Sequence, residues 1–118
     1  MQTRYAFFIQ LKALPTWLRL SRDRRRQVAD ACLGAAMRRC PSLRVRHFDA
    51  EAFCAPCSDL MLVETTEPRE HYAFMEHLRD SALLTEPYFD VLAIIPTIEE
   101  GYRALEHDVA SQHMAIDA

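Results

Sequence analysis

The sequence predicts an α+β fold whose strands and helices follow the order βαββαβ, with one further helix at the C-terminal end. The 118 residues suit one domain, and we expect residues 1–118 to form a single one. Half of the residues are hydrophobic and 26% are charged, a balance typical of globular proteins rather than of disordered chains. Apolar runs of strand length alternate with stretches in which apolar residues recur at helical spacing.

The first strand is predicted over residues 5–12, a run rich in aromatic and β-branched side chains. A helix should follow, because Ser21 is a good N-cap and Asp23 suits the first turn. We expect this first helix to continue to Arg39 and to end before Pro41. Its inward face is predicted to hold Arg25, Val28, Cys32, Ala35 and Ala36.

Two antiparallel strands are predicted next. Residues 43–48 alternate apolar and polar side chains, as a half-buried strand does. Residues 59–64 form an apolar run with an acidic residue at each end. Because residues 49–58 are too many for a tight turn, we expect a longer connection between these two strands.

The second main helix is predicted to begin at Thr66 or Glu67, with Pro68 in its first turn, and to end within residues 81–87. Apolar residues recur along it at helical spacing. This apolar stripe is predicted to consist of Tyr72, Met75, Leu78 and Ala82.

The last strand is predicted over residues 88–95, the most strand-like run of the chain, with Pro96 as its stop. Residues 97–100 have the pattern of a capping box, which predicts a short amphipathic helix. Its inward residues should be Ile98, Tyr102 and Leu105. We expect an ordered core over residues 4–107 and a loose tail over residues 108–118.

With right-handed crossovers, this order is the ferredoxin-like plan, in which two helices cover one face of an antiparallel sheet. Three of the predicted strands are nevertheless apolar on both faces. In the first strand, for example, Phe7 and Ile9 alternate with Ala6 and Phe8. A second copy of the chain is the simplest cover for the other face, so we expect a homodimer with sheet packed on sheet.

Charge is divided unevenly along the chain. Residues 1–46 carry 11 basic and 2 acidic side chains, whereas residues 47–118 carry 3 and 15. Because the fold sets the basic first helix beside the acidic second one, we interpret this division chiefly as mutual neutralisation, and we expect no nucleic-acid partner. With only two glycines in the chain, a glycine-rich cradle for a nucleotide phosphate is excluded.

No run approaches the roughly 20 apolar residues of a membrane-spanning helix, and no signal-peptide core precedes the first strand. We therefore expect a cytoplasmic protein with no membrane partner. In that compartment the four cysteines should be reduced thiols. Cys54 and Cys57 resemble half of a zinc site, but no second pair accompanies them, so we expect no metal and no other cofactor.

His47, Asp49 and Glu64 are the candidate catalytic residues, from a polar cluster that also contains Glu51 and Asp59. An imidazole beside a carboxylate can transfer protons near neutral pH, and a structural histidine at the sheet rim is the alternative. Asp49 would act as a base or orient His47, or else cap a turn. Glu64 would act as a buried acid or base, or else pair with an arginine of the first helix.

The candidate substrate-binding residues are mostly aromatic, which suits the wall of an apolar cavity for a planar molecule. A plain hydrophobic core is the alternative interpretation. The candidates are Lys12, Trp17, Tyr72, Tyr88 and Phe89.

Four segments of the chain resemble the darcynin family of small bacterial proteins: residues 11–21, 46–53, 58–65 and 88–102. The resemblance covers residues 4–107. It implies a dimeric α+β barrel, an architecture shared with cofactor-independent monooxygenases, lactone isomerases and polyketide cyclases. Chemistry follows from this resemblance only by analogy.

Two functional hypotheses follow from these patterns. The first is a small enzyme of the isomerase, cyclase or cofactor-independent monooxygenase type, acting in specialised metabolism. Its ligand would be an aromatic or polyketide-like metabolite held in a pocket between sheet and helices. The second is a dimeric binding or accessory protein without enzymatic activity. A solvent-accessible pocket lined by His47 or Glu64 would favour the enzyme.

Overall fold

The fold is that of a computed structural model, which describes residues 2–106 and 109. Within these residues there are four strands: β1 (Tyr5–Ala13), β2 (Arg44–Asp49), β3 (Asp59–Thr65) and β4 (Phe89–Ile98). The helices between them are α1 (Pro15–Leu18), α2 (Arg22–Met37), α3 (Pro68–Asp80) and α4 (Ala82–Thr85). Residues 101–106 are also helical. The predicted order of the strands and main helices is confirmed, and the short helices α1 and α4 are additions to it.

The strands form one sheet in the order β2-β3-β1-β4, and every neighbouring pair is antiparallel. This is the ferredoxin-like arrangement that the sequence predicts, with α2 and α3 as the two crossover helices. Both helices contribute side chains to one core with β1 and β3. One face of the sheet therefore lies under the helices, and we call the other the outer face.

The strand register fixes which residues lie on each face. Ile9 of β1 lies opposite Met61 of β3 and Ile94 of β4, and all three pack in the core beneath the helices. Phe8, which precedes Ile9 in β1, lies opposite Leu62 on the outer face. Ile9 and Val63 are fully buried, as is Phe74 of α3.

A β-bulge interrupts the pairing of β1 with β4. The register shifts between Gln10 and Leu11, so that Leu11 lies opposite Val91 and Leu92 is left without a partner. This extra residue exchanges the two faces along the first part of β4. Phe89 consequently packs against the core beneath the helices.

Helix α2 begins as predicted, because the Ser21 side chain accepts a hydrogen bond of 3.1 Å from the backbone N–H of Arg24. Its last residue is Met37, so the helix ends earlier than the predicted Arg39. Val28 and Ala36 are buried as expected. The prediction that Ala35 faces inward is wrong, since it is exposed.

Helix α3 also begins as predicted, with Glu67 as its N-cap and Pro68 at its first position. The predicted apolar stripe is shifted, however. Tyr72 is 69% exposed, and the buried residues of the helix are His71, Phe74, Met75 and Leu78. The His71 ring stacks on Phe7 with 3.6 Å between ring centroids. A histidine therefore occupies the buried position that the sequence analysis gives to Tyr72.

The prediction that Pro96 ends the last strand is wrong. Pro96 lies within β4, opposite Phe7, and β4 continues to Ile98. A strand at the edge of a sheet tolerates proline, because one side of it needs no backbone donor. Thr97 pairs with Ala6 in this strand, so the predicted capping box does not form there.

The predicted C-terminal helix starts at residue 101 instead, after Glu100 with a positive φ of 44°. The expectation that Ile98, Tyr102 and Leu105 face inward is wrong, since all three are exposed. Of the predicted tail, only residue 109 falls within the described residues. In the described part of the chain, no helix combines the length and the apolar character needed to cross a membrane.

Candidate functional site

A cavity of about 650 Å³ lies between the helix-covered face of the sheet and the helices. Strands β2 and β3 supply its polar wall, α1 and the start of β4 supply aromatic rings, and α2 supplies arginines. Apolar side chains from α2, α3 and α4 close the rest of it. An apolar cavity with a few converging polar groups is the usual form of a small-molecule site.

His47 and Asp59 form the hydrogen-bonded pair of this cavity. The imidazole Nε2 lies 2.7 Å from Asp59 Oδ1, and the Ser58 hydroxyl donates to Asp59 Oδ2 at 2.6 Å. The same hydroxyl oxygen accepts a hydrogen bond of 2.7 Å from the Ala13 backbone N–H. Both carboxylate oxygens are thus held in place, which fixes the orientation of the imidazole.

These contacts shift both pKa values in a way that favours the charged pair. The hydrogen bond to Asp59 raises the pKa of His47 and outweighs the burial that opposes it, and the charges of Asp59 and Asp49 add to the rise. Burial alone would raise the pKa of Asp59, but hydrogen bonds from His47 and Ser58 lower it overall. His47 therefore binds a proton more tightly than a free imidazole does.

Asp49 is the third polar residue of this group. It lies directly opposite Asp59 in the register of β2 and β3, two residues along from His47. One side-chain ligand atom from each of the three residues lies within 4.8 Å of the others. Such a set of one imidazole and two carboxylates has the donor types of a divalent-cation site. The expectation of no metal remains a prediction.

Cys54 and Cys57 do not join this group. Both are free thiols, and the Cys57 Sγ donates to the backbone carbonyl of Asp59 at 3.2 Å. Within the described residues, the one group of three potential metal ligands is that of His47, Asp49 and Asp59. The half zinc site suggested by the cysteine spacing is therefore not completed by a described histidine.

The aromatic wall of the cavity contains two of the predicted substrate-binding residues. Trp17 and Phe89 line the cavity, with ring centroids 4.8 Å apart at a tilted angle. Tyr88 is not among the lining residues, but its ring packs against that of Trp17 with 5.4 Å between the ring centroids. These three residues come together as the sequence analysis expects.

Lys12, Tyr72 and Glu64 lie away from the cavity. Lys12 is exposed on the outer face opposite Asp90, and Tyr72 is exposed on α3. Glu64 is also on the outer face, with its Oε1 atom 2.9 Å from the Arg46 guanidinium. The contact is an ion pair without the alignment of a hydrogen bond. Its partner is thus an arginine of β2 and not one of the first helix.

Sequence reasoning placed Arg25 on the inward face of the first helix but did not assign Arg22 and Arg26 to a cavity. Arg22, Arg25 and Arg26 all line the cavity, whereas Arg24 does not. Their spacing of three and four residues puts them on one face of the helix, which is the signal that could have found them. Asp59 was missed as a partner of His47 because the register of β2 against β3 is set across a long loop.

Comparison with known proteins gives a family match over nearly the whole chain. The family model described as "Darcynin, domain of unknown function" matches residues 2–113. A protein named Darcynin from Chromobacterium violaceum is 47% identical over 72 residues, which are 61% of this chain and 91% of that protein. Darcynin 1 from Acinetobacter baumannii is 39% identical over 83 residues, 70% of this chain and 92% of that protein.

Among solved structures, the chain is similar to chlorite dismutase from Candidatus Nitrospira defluvii in complex with imidazole. The TM-score is 0.68 at 10% sequence identity, and the match covers 81% of this chain. The chain spans 40% of the length of that protein. At this identity the similarity shows a shared fold alone.

Proposed function

This chain belongs to the Darcynin family, and from its cavity we propose that it is a small enzyme that transfers protons on an aromatic or polyketide-like metabolite. The reaction class is an isomerisation or cyclisation without a bound cofactor. The observation that carries the proposal is the His47–Asp59 pair, hydrogen-bonded at 2.7 Å in the wall of a 650 Å³ cavity. The similarity to an enzyme fold is in keeping with this proposal but assigns no reaction.

The pair suits a general base whose free nitrogen is Nδ1. When Nε2–H donates to Asp59, the lone pair of a neutral His47 lies on Nδ1, which has no hydrogen-bond partner among the described residues. Nδ1 would accept a proton from a carbon next to a substrate carbonyl. Asp59 would stabilise the resulting imidazolium, and the same proton would return to another atom of the substrate. The step conserves protons and electrons, so it needs no oxidant.

Asp49 would raise the basicity of His47 through its charge. Trp17 and Phe89 would hold the planar part of the substrate, with Tyr88 packed behind Trp17.

The test follows the exchange of substrate C–H hydrogens in D₂O by NMR, with phenylpyruvate and aryl ketones as probes. We expect His47→Gln and Asp59→Asn to slow exchange by about 10² to 10⁴-fold, the usual contribution of a general base. His77→Gln is the matched control, because His77 is exposed on α3 and outside the cavity. Unchanged exchange in the His47→Gln variant would contradict the proposal.

Two other outcomes identify different functions. Binding of the probes by calorimetry without any exchange would favour the alternative of a binding or accessory protein. Consumption of dissolved oxygen during turnover would favour the monooxygenase type over isomerisation.

We also propose that the protein acts as a homodimer through the outer face of its sheet. That face exposes apolar side chains on both edge strands, with Ile95 of β4 46% exposed and Phe48 of β2 45% exposed. Its charges are largely matched within the face, since Arg46 pairs with Glu64. A face that is apolar and balanced in charge suits a second identical copy better than a charged partner.

A further inference from the structure

Three arginines of α2 give the cavity a basic wall. Arg25 and Arg26 lie three and four residues after Arg22, so both share a helical face with it, and all three line the cavity. Arg24 lies in the same turn but is not part of the lining. The chain thus carries a matched arginine just outside the cavity.

The charge of this wall is only partly used within the protein. Arg25 donates from Nε to the Trp17 carbonyl at 3.2 Å and from a terminal nitrogen to the Leu18 carbonyl at 2.6 Å, which ties α1 to α2. Arg26 approaches Asp23 at 3.5 Å, with both side chains largely exposed. In the described part of the chain, Arg22 makes no ion pair or side-chain hydrogen bond.

The carboxylates on the opposite wall do not neutralise these arginines. Asp59 is held by His47 and Ser58. No ion pair within 4.0 Å joins Arg22, Arg25 or Arg26 to Asp49 or Asp59 among the described residues. The cavity therefore has guanidinium groups open to a ligand at one side and a proton-transfer pair at another.

The remaining lining between these polar walls is apolar and aromatic. Trp17 and Phe89 lie beside Leu33 and Met37 in it. A molecule that fits all three environments has an apolar or aromatic body and an anionic group at one end.

We propose that the ligand of this cavity is an aromatic carboxylate, whose carboxylate binds Arg22 and Arg26 and whose body packs against Trp17 and Phe89. The inference rests on the proposed function insofar as this ligand is the substrate. Guanidinium groups are the side chains best matched to carboxylates, because they donate paired hydrogen bonds in a planar fork. The positive end of the α2 dipole adds to the same attraction.

The test compares two probes of nearly equal shape and different charge, 3-phenylpropionate and its neutral amide, by calorimetry at low salt. We expect the carboxylate to bind at least about 10-fold more tightly than the amide. The double variant Arg22→Gln/Arg26→Gln should lose that preference while still binding the amide. Arg24→Gln, which removes one positive charge outside the lining, should change carboxylate affinity by less than about 2-fold.

Two further measurements separate this inference from the proton-transfer proposal. In a His47→Gln background, the preference for the carboxylate should remain, since it does not depend on proton transfer. Arg22→Lys/Arg26→Lys should restore part of it, and circular dichroism should show equal folding of all variants. Equal affinity for the two probes in the wild type, or an equal loss in Arg24→Gln, would overturn the inference.

Discussion

His47 and His71 lie in opposite electrostatic environments within one small domain. His47 is half exposed and hydrogen-bonded to a carboxylate, which raises its pKa. His71 is buried against Phe7, and its Nδ1 atom has no hydrogen-bond partner in the described structure. Burial lowers the pKa of His71, because the imidazolium would lose its hydration.

The two histidines should therefore give opposite pH dependences of stability. Below the unfolded-state pKa of about 6.5, unfolded chains bind a proton that buried His71 resists, so acidification through this range destabilises the fold. The stabilisation from the raised pKa of His47 is present below that value and is lost as the pH rises through the folded-state pKa.

Urea unfolding at pH 7.5 and pH 5.5 measures both effects. We expect His71→Phe to reduce the loss of stability on acidification, and His47→Gln to increase it. His77→Gln should behave as the wild type, because His77 is exposed. An unchanged acid response in His71→Phe would show that His71 accepts a proton in the folded protein.

At the scale of single elements, the buried face of α3 is the sharpest correction to the sequence analysis. Both stripes, the predicted one and the observed one, contain Met75 and Leu78. The predicted stripe contains Tyr72, whereas the observed one contains His71. Tyrosine was predicted to be buried because it is the more apolar of the two residues. His71 is the buried residue because its ring stacks on Phe7 of β1. This contact lies between two elements, so the spacing of apolar residues within α3 does not predict it.

Two alanine substitutions test which face of α3 is buried. Phe74→Ala should lower the free energy of unfolding by about 3–5 kcal/mol, since the side chain is fully buried. Tyr72→Ala should change it by less than about 0.5 kcal/mol, because the ring is mostly exposed. Urea denaturation of both variants measures the difference. Similar losses would mean that the helix is rotated from the orientation described above.

The sequence was sufficient to predict the starts of the two main helices, which neighbouring residues determine. Ser21 caps α2 and Pro68 opens α3 as predicted, because capping depends on residues within one turn. The prediction that Pro96 ends the last strand failed, because proline is compatible with a strand that lies at the edge of the sheet. That position is set by tertiary structure.

The candidate site was predictable only in part for the same reason. The sequence grouped His47 with Asp49 because both lie at the end of the same predicted strand. The choice of Asp59 instead of Glu64 as the partner of His47 needs the register of β2 against β3, which puts Asp59 on the same face as His47 and Glu64 on the other. The arginines of α2 required the packing angle of a helix, which its own sequence does not contain.

For the molecule as a whole, the uneven charge of the chain is resolved in two ways. Ion pairs join its basic and acidic parts, as between Arg4 and Glu99 at 3.7 Å and between Arg46 and Glu64 at 2.9 Å. Arg22, Arg25 and Arg26 of α2 form no ion pair with α3 in the described residues and line the cavity instead. Ion pairing thus balances charge on the outer face, whereas these three arginines keep a basic wall in the cavity.

The proposed dimer can be tested with one charge placed on the outer face. Light scattering of the wild type should give twice the protomer mass of 13.7 kDa. Ile95→Lys should give a monomer, because burying an unpaired ammonium between two sheets is costly. Tyr72→Lys changes an exposed ring on the helical side and should remain dimeric. A monomeric wild type at micromolar concentration would contradict the proposal.

The bulge at Leu92 decides which side chains of β4 face the cavity. In uninterrupted pairing that retained Leu92, Asp90 would lie opposite Ala13 and turn toward the helices, and Phe89 would turn outward. A carboxylate would then stand beside Trp17 in place of an aromatic ring. Such a carboxylate would weaken the binding of the anionic ligand proposed for this cavity. One extra residue in β4 therefore keeps a negative charge away from the pocket.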